Sequence, residues 1–207
     1  MCIFCVMSSV TKDFRIFGQK WGESQVPGTS GGTVSFSFAT QNHLGQFGTF
    51  DSFITEKTFQ SEIITSLSQW EDASDIRFVE VADSSNVDIR FGWREIDGKG
   101  GVLGQTSVPS SGPLANTIIA LDVDEDWFLS GDAPVGEIDF SSTVTHEIGH
   151  AIGIDHSEST QSLMNSEYST VIFDLQQDDI DAAEAIYGGN SILPIDIYRF
   201  YNPKVGG

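Results

Sequence analysis

The sequence predicts an α+β domain: a mixed sheet with a helix packed on one face. Two observations carry this. A long amphipathic stretch, Glu56 to Ala73, is followed by two runs of period-two alternation, Ile76 to Val81 and Val87 to Trp93, and by further strand-like text; helix then strands in this order points to α+β architecture. A second helix is written around His146 to Ile152 and a third at Phe173 to Tyr187.

In chain order, residues 1–15 read as an N-terminal segment. Thr33 to Ala39 alternates polar and apolar, as a half-buried strand does. His43 stands in a polar, Gly-containing loop, QNHLGQFG, and is not taken as a ligand. Within Glu56 to Ala73, Phe59, Ile63, Ile64, Leu67 and Trp70 recur at three- and four-residue intervals and are read as one core-facing stripe. Ile96 to Thr106, IDGKGGVLGQT, is a Gly-rich loop that opens on an aspartate and leads into a strand. It lacks G-K-[ST] and a following helix, so it is no phosphate cradle. The strand Asn116 to Val123 runs into LDVDEDW. Ser141 or Ser142 is the expected N-cap of the next helix, with Val144, Ile148, Ala151 and Ile152 facing inward. In the last helix Leu175, Ile180, Ala183 and Ile186 face the core, and Gly188-Gly189 ends it.

The richest stretch is HEIGHAIGIDH, His146 to His156, which reads H-E-x-x-H-x-x-G-x-x-H. His146 and His150 lie one helical turn apart on one face and can grip a single metal ion. Glu147 reaches the edge of that site, where a carboxylate can take a proton from water. Gly153 permits a left-handed helix end, after which His156 returns as third ligand. Three nitrogen ligands leave a tetrahedral zinc with one open position, as in catalytic rather than structural sites.

Composition narrows the field. The formal charge of −20 would be repelled by a phosphate backbone, which excludes nucleic-acid binding. Cys2 and Cys5 are crowded into the first five residues and cannot staple a core. No run of 18 apolar residues occurs, so no transmembrane helix is expected. Met1 to Val10 lacks a basic leader and a small-residue cleavage site, and so makes a poor secretory signal.

HEIGHAIGIDHS followed by SLMN resembles the metzincin clan of zinc peptidases, with Met164 at the Met-turn. Ser157 after the third histidine and LQQDDIDAAEAIYG, Leu175 to Gly188, resemble its matrixin branch. FGQKWGESQVPGTSGGTVSFSFA, around Trp21, is similar to the N-terminal strand of the serralysin-like bacterial branch. The resemblance spans roughly residues 16 to 188 and implies a metzincin zincin-like catalytic domain. Its sheet would be a mixed, twisted one of about five strands, with an active-site helix, a backing helix and a C-terminal helix. The domain would occupy residues 16–189, with an upper lobe to about 156 and a lower lobe 157–189, before a tail 190–207. That tail carries none of the calcium-binding repeats that serralysins append.

By the same resemblance, Asp97, the carbonyls of Gly98, Gly100 and Val102, and the acids Asp122 and Glu125 would hold one structural calcium ion; oxygen ligands suit that ion. The bottom-up alternative is an acidic turn with solvated carboxylates. The histidine positions of the family's second, structural zinc read Gln105 and Ala120, and its earlier histidine and aspartate fall on Arg90 and Gly92. One zinc is therefore expected, not two. Leu114, Asn116 and Ile118 stand where the family has a further calcium loop. Leu103 and Gly104 would pair with an extended substrate along the edge strand Val102 to Thr106, and Tyr168 would wall the S1′ pocket. Asp178 or Asp179 would hold a mature N-terminal ammonium. The expected activity is zinc-dependent endopeptidase, in an extracellular, monomeric protein acting on protein or peptide substrates. The alternatives are a catalytically silent metal-binding or inhibitory module of the same fold, against which intact Glu147 argues, and a calcium-dependent binding module with an incidental histidine cluster. Protein hydrolysis with and without a zinc chelator separates them.

Overall fold

The computed structural model describes residues 12–44, 48–129, 133–134 and 136–189. Cys2, Cys5, most of the segment 1–15 and the tail 190–207 lie outside the described residues. The elements run β1 (Arg15–Ile16), β2 (Gly32–Phe38), α1 (Lys57–Ala73), β3 (Ile76–Glu80), β4 (Ile89–Arg94), β5 (Gly104–Ser107) and β6 (Thr117–Asp122). They continue with β7 (Trp127–Phe128), β8 (Ile138–Asp139), α2 (Phe140–Ala151), β9 (Ile154–Asp155) and α3 (Gln177–Tyr187).

The main sheet has five strands in the order β3-β2-β4-β6-β5, and only β5 runs antiparallel to its neighbour. It is the mixed sheet expected. Period-two patterning turns Val34, Phe36, Ile89 and Phe91 to one face, where residues of all three helices complete the larger core. On the opposite face Ala39, Phe50, Ile118 and Ala120 form a smaller cluster. Strand β6 is buried along its whole length, which explains its nearly unbroken apolar text. Phe140, first residue of α2, packs edge-on against Phe59 of α1 at 4.7 Å and Trp127 of β7 at 5.4 Å.

Two sequence expectations need correction here. Ile64 is 44% exposed; it lies one residue, about 100°, off the buried line Gln60–Ile63–Leu67–Trp70. Gln60 takes the core position because its amide donates to the Ile54 carbonyl at 2.8 Å. The last helix begins at Gln177 rather than Phe173, because Gln176 and Asp179 form a reciprocal capping box. The two-residue ladders β1–β9 and β7–β8 are too short to leave a period in the sequence.

Where the resemblance places ligands of a second zinc, β4 carries an ion pair. Arg90 is fully buried and meets Asp83 in a two-pronged contact, Nε to Oδ1 at 2.6 Å and Nη2 to Oδ2 at 2.8 Å. Its Nη2 also donates to the Gln41 carbonyl at 2.6 Å. Burial alone would raise the Asp83 pKa, but bonds from Arg90, the Thr40 amide and hydroxyl, and Ser37 hold it well below the usual carboxylate range. The pair thus ties the segment around Thr40 and Gln41 to the sheet. Gln105 sits opposite Ala120 across the β5–β6 ladder and accepts from Arg94 at 3.3 Å.

Removing one partner strands a buried charge. Arg90→Leu should cost about 3–5 kcal/mol, read from urea unfolding of zinc-saturated protein; an unchanged midpoint would refute the tether. Because the folded pKa of Asp83 is depressed below 3.8, its contribution is present above that pH and is lost as acid protonates the folded carboxylate.

Candidate metal centre

Helix α2 starts at Asp139, whose carboxylate accepts from the Ser142 amide at 2.6 Å. The cap is therefore this aspartate and not Ser141 or Ser142; Ser142 donates its hydroxyl back to the Asp139 carbonyl at 3.2 Å. Val144, Ile148 and Ala151 are fully buried and seat the helix on the core. Two indoles fasten it further: Trp70 Nε1 donates to the Thr145 carbonyl at 3.0 Å and Trp21 Nε1 to the Ala151 carbonyl at 2.9 Å. The helix stops at Gly153, whose φ is +100° and where a Cβ would stand 2.3 Å from the Gln19 carbonyl oxygen. Only glycine suits that turn. Strand β9 then pairs antiparallel with β1 and delivers His156.

His146, His150 and His156 bring one ligand atom each to within 4.8 Å of one another. The Nε2 atoms of His150 and His156 lie 3.2 Å apart. His146 Nδ1 is 2.8 Å from the Leu163 carbonyl and His150 Nδ1 is 2.8 Å from the Ile154 carbonyl. A carbonyl oxygen can only accept, so both Nδ1 atoms carry hydrogen and both Nε2 lone pairs remain for a metal. Burial lowers the pKa of His146. It pushes His150 down to about 3, with help from neighbouring His146 and against the Ile154 carbonyl. Burial and His146 also lower His156. All three rings are thus neutral near pH 7, the state in which imidazole binds a cation. The donor set fits zinc.

Glu147 lies beside this cluster, only 6% exposed. Burial pushes its carboxyl up to about 7, against the Thr106 hydroxyl and the neighbouring His156. Thr106 Oγ1 sits 2.6 Å from Oε2 and 2.9 Å from the main-chain oxygen of Glu147. A divalent cation among the histidines would favour the ionised form.

Below the histidines, Met164 is buried and packs close under α2: a Cβ on Gly149 would fall 2.3 Å from its sulfur. Its turn hangs on Asp179 of α3, which accepts from the Leu163 amide at 2.9 Å, the Met164 amide at 3.0 Å and the Ser162 hydroxyl. A continuous path therefore runs from Asp179 through the Leu163 peptide to the His146 ring. The neighbouring Asp178 accepts from the Ser157 hydroxyl at 2.6 Å and from the Asp13 amide at 3.2 Å. Of the two aspartates considered for an N-terminal ammonium, it is the one that faces the chain's first described residues.

A cleft of about 700 Å³ passes over the three histidines and Glu147. Its walls include Leu103 and Gly104 on one side and Tyr168 on the other; the Tyr168 hydroxyl accepts from the Asp139 amide at 2.9 Å. The Leu103 carbonyl already accepts from Asp122 at 2.9 Å.

The acids of the Gly-rich loop also come together. Asp97 accepts from the Val102 amide at 2.9 Å and donates its own amide to Asp122 at 3.3 Å. Glu125 accepts from the Gly100 amide at 2.6 Å. Asp122 is fully buried and Glu125 nearly so, while Asp97, Gly100 and Val102 are exposed and Gly98 half-buried. Among the described residues, only the histidine triad brings three such side chains to metal-binding distance. Sequence reading missed Thr106, Leu163 and the N-cap Asp139, and gave Asp179 another role. Asp179 had a visible signal in its spacing from Gln176, and Asp139 in its place just before the helix; Thr106 and Leu163 depend on tertiary contacts.

A family model described as matrixin, a peptidase family, matches residues 34–188. Metalloendoproteinase 1 of Glycine max is 34% identical over 149 residues, 65% of this chain and 47% of the relative. Karilysin of Tannerella forsythia is 29% identical over 147 residues, 66% of this chain and 30% of that protein. The hatching enzyme of Paracentrotus lividus is 31% identical over 155 residues, 70% of this chain and 25% of that one. The chain spans less than half the length of each of these relatives.

The path from Asp179 to His146 has a measurable consequence. Asp179→Ala should weaken zinc binding by roughly 10–100-fold, as loss of support to a ligand does, in competition with a chromophoric chelator. Wild-type affinity in that variant would sever the turn from the metal centre.

Proposed function

The chain belongs to the matrixin family, and from that premise we propose that it is a zinc-dependent endopeptidase hydrolysing peptide bonds in protein substrates. The observation that carries this reading is the convergence of three neutral imidazoles beside a buried carboxylate in an open cleft. His146, His150 and His156 would hold the zinc, which when bound acidifies a water molecule and polarises the scissile carbonyl. Glu147 accepts the proton of the attacking water and returns it to the leaving nitrogen. Its burial raises the carboxylate's affinity for a proton, and the charge of a bound zinc opposes that shift. Met164 is a floor and not a ligand.

Substrate would lie extended along β5, which ends the sheet order and so offers an unpaired edge for strand addition. Gly104 supplies main-chain groups there, while the Leu103 carbonyl is engaged with Asp122, leaving its N–H. Tyr168 walls the pocket beyond the zinc. One structural calcium held by Asp97, Asp122, Glu125 and the carbonyls of Gly98, Gly100 and Val102 belongs to the same reading; its support is the approach of all three acids to one loop. An extracellular place of action is supported by relatives named as matrix metalloproteinases. No helix among the described residues is long and apolar enough to cross a membrane.

Glu147→Ala should retain stoichiometric zinc by elemental analysis yet lose casein hydrolysis by at least about 10²-fold, the usual worth of a positioned base; undiminished turnover would remove Glu147 from that role. Calcium withdrawn by dialysis at constant zinc should lower the melting temperature. A site filled at 100 times its Kd stabilises by about 2.7 kcal/mol, several degrees at this size. Asp122→Asn should abolish that difference, and a melting curve indifferent to calcium would refute the site.

A further inference from the structure

Strand β5 holds Glu147 at two points. Gly104 and Thr106 are two residues apart and so face the same side of the strand, here toward α2. A Cβ on Gly104 would stand 2.9 Å from Glu147 Cγ and 3.0 Å from Oε1, so only a glycine lets the carboxylate lie this close to the edge strand. Thr106 Oγ1 lies 2.6 Å from Oε2 and 2.9 Å from the Glu147 carbonyl oxygen. The hydroxyl has one hydrogen for these two acceptors, and a carboxylate ionised beside a bound cation outbids a neutral carbonyl for it. Oε2 is therefore the occupied oxygen and Oε1 the free one, on the side where Gly104 leaves bare backbone.

A glutamate end group turns in a broad, two-fold torsional well, so a carboxylate without a fixed partner samples several directions. We propose that Thr106 is a positioning residue for the general base: its hydroxyl fixes Glu147 through Oε2 and presents Oε1 to the reacting water. This rests on the hydrolytic reading given above. Threonine suits the task because its β-branched side chain is stiff about χ1, which aims the hydroxyl while the strand aims the residue.

Thr106→Val keeps shape and removes the hydroxyl; Thr106→Ser keeps the hydroxyl; Thr106→Ala is a smaller hydroxyl-free variant should valine disturb folding. Each is made in the full zinc-loaded chain and studied with a fluorogenic peptide and by crystallography. Thr106→Val and Thr106→Ala should lower kcat by roughly 10–100-fold, as loss of an outer partner does, with KM unchanged. Their Glu147 carboxylates should turn away from the position seen here. Thr106→Ser should regain most of the rate and the original carboxylate placement. Wild-type kcat in the hydroxyl-free variants, or an unmoved carboxylate in their crystals, would overturn the proposal. If the wild-type chain cleaved no peptide, the endopeptidase reading would fall, and the crystal comparison would still decide whether Thr106 places Glu147.

Discussion

Three imidazole nitrogens must meet within a few ångströms, although two come from a helix and the third from beyond its end. That requirement governs the surrounding architecture. One helical turn separates His146 from His150, so local geometry sets that pair. His156 depends on a reversal at Gly153, and the reversal depends on the absence of a side chain where Gln19 crosses. The helix must also be held still. Core packing of Val144, Ile148 and Ala151 does this on one side, and the indoles of Trp21 and Trp70 take carbonyls along its length. The Ala151 carbonyl lies in the last turn, where intrahelical partners run out, so Trp21 satisfies a group that would otherwise need water.

Charge inside this acidic chain is handled in three different ways. The histidines and Glu147 move toward their neutral forms, because burial penalises the ion. Arg90 and Asp83 stay charged and satisfy each other in a forked contact. Lys20, 2% exposed, has the carbonyls of Trp21, Ser24 and Ser30 and the Thr29 hydroxyl as partners, with the Tyr187 ring 5.1 Å away. The Arg90–Asp83 pair sits by Phe50, on the sheet face opposite the one that packs against the helices.

Much of this was legible in the sequence, for reasons that can be stated. The histidine triad, Glu147 and the glycine turn are local in the chain, so their spacing alone carries the geometry. Strands β2, β3 and β4 lie in stretches long enough to show a period, and α1 shows a stripe. Most of the failures have a tertiary cause, while the starts of α2 and α3 are set by local caps. Ile64 obeys helical spacing but lies just off the covered face, and Gln60 takes a core position through a bond to Ile54. Phe173 sounds helical, yet the chain waits for Gln176 and Asp179 to cap each other. The Arg90–Asp83 pair joins a strand to a loop, and nothing in either segment alone announces the other. Thr106 is similar: its neighbour across space is 41 positions away in sequence.

Asp179 has a bearing on the order in which this molecule can become competent. Leu163 donates its N–H to the aspartate and accepts the His146 ring on its carbonyl oxygen, so a side chain from α3 stands behind a histidine on α2. Tyr187 adds a second link of the same sense, giving its hydroxyl hydrogen to Ile152 and accepting from Trp21. In chain order the H-E-x-x-H segment is made before either partner. An emerging chain would therefore carry all three histidines before α3 can brace the turn at Leu163, and the cluster would be fully supported only once that helix docks.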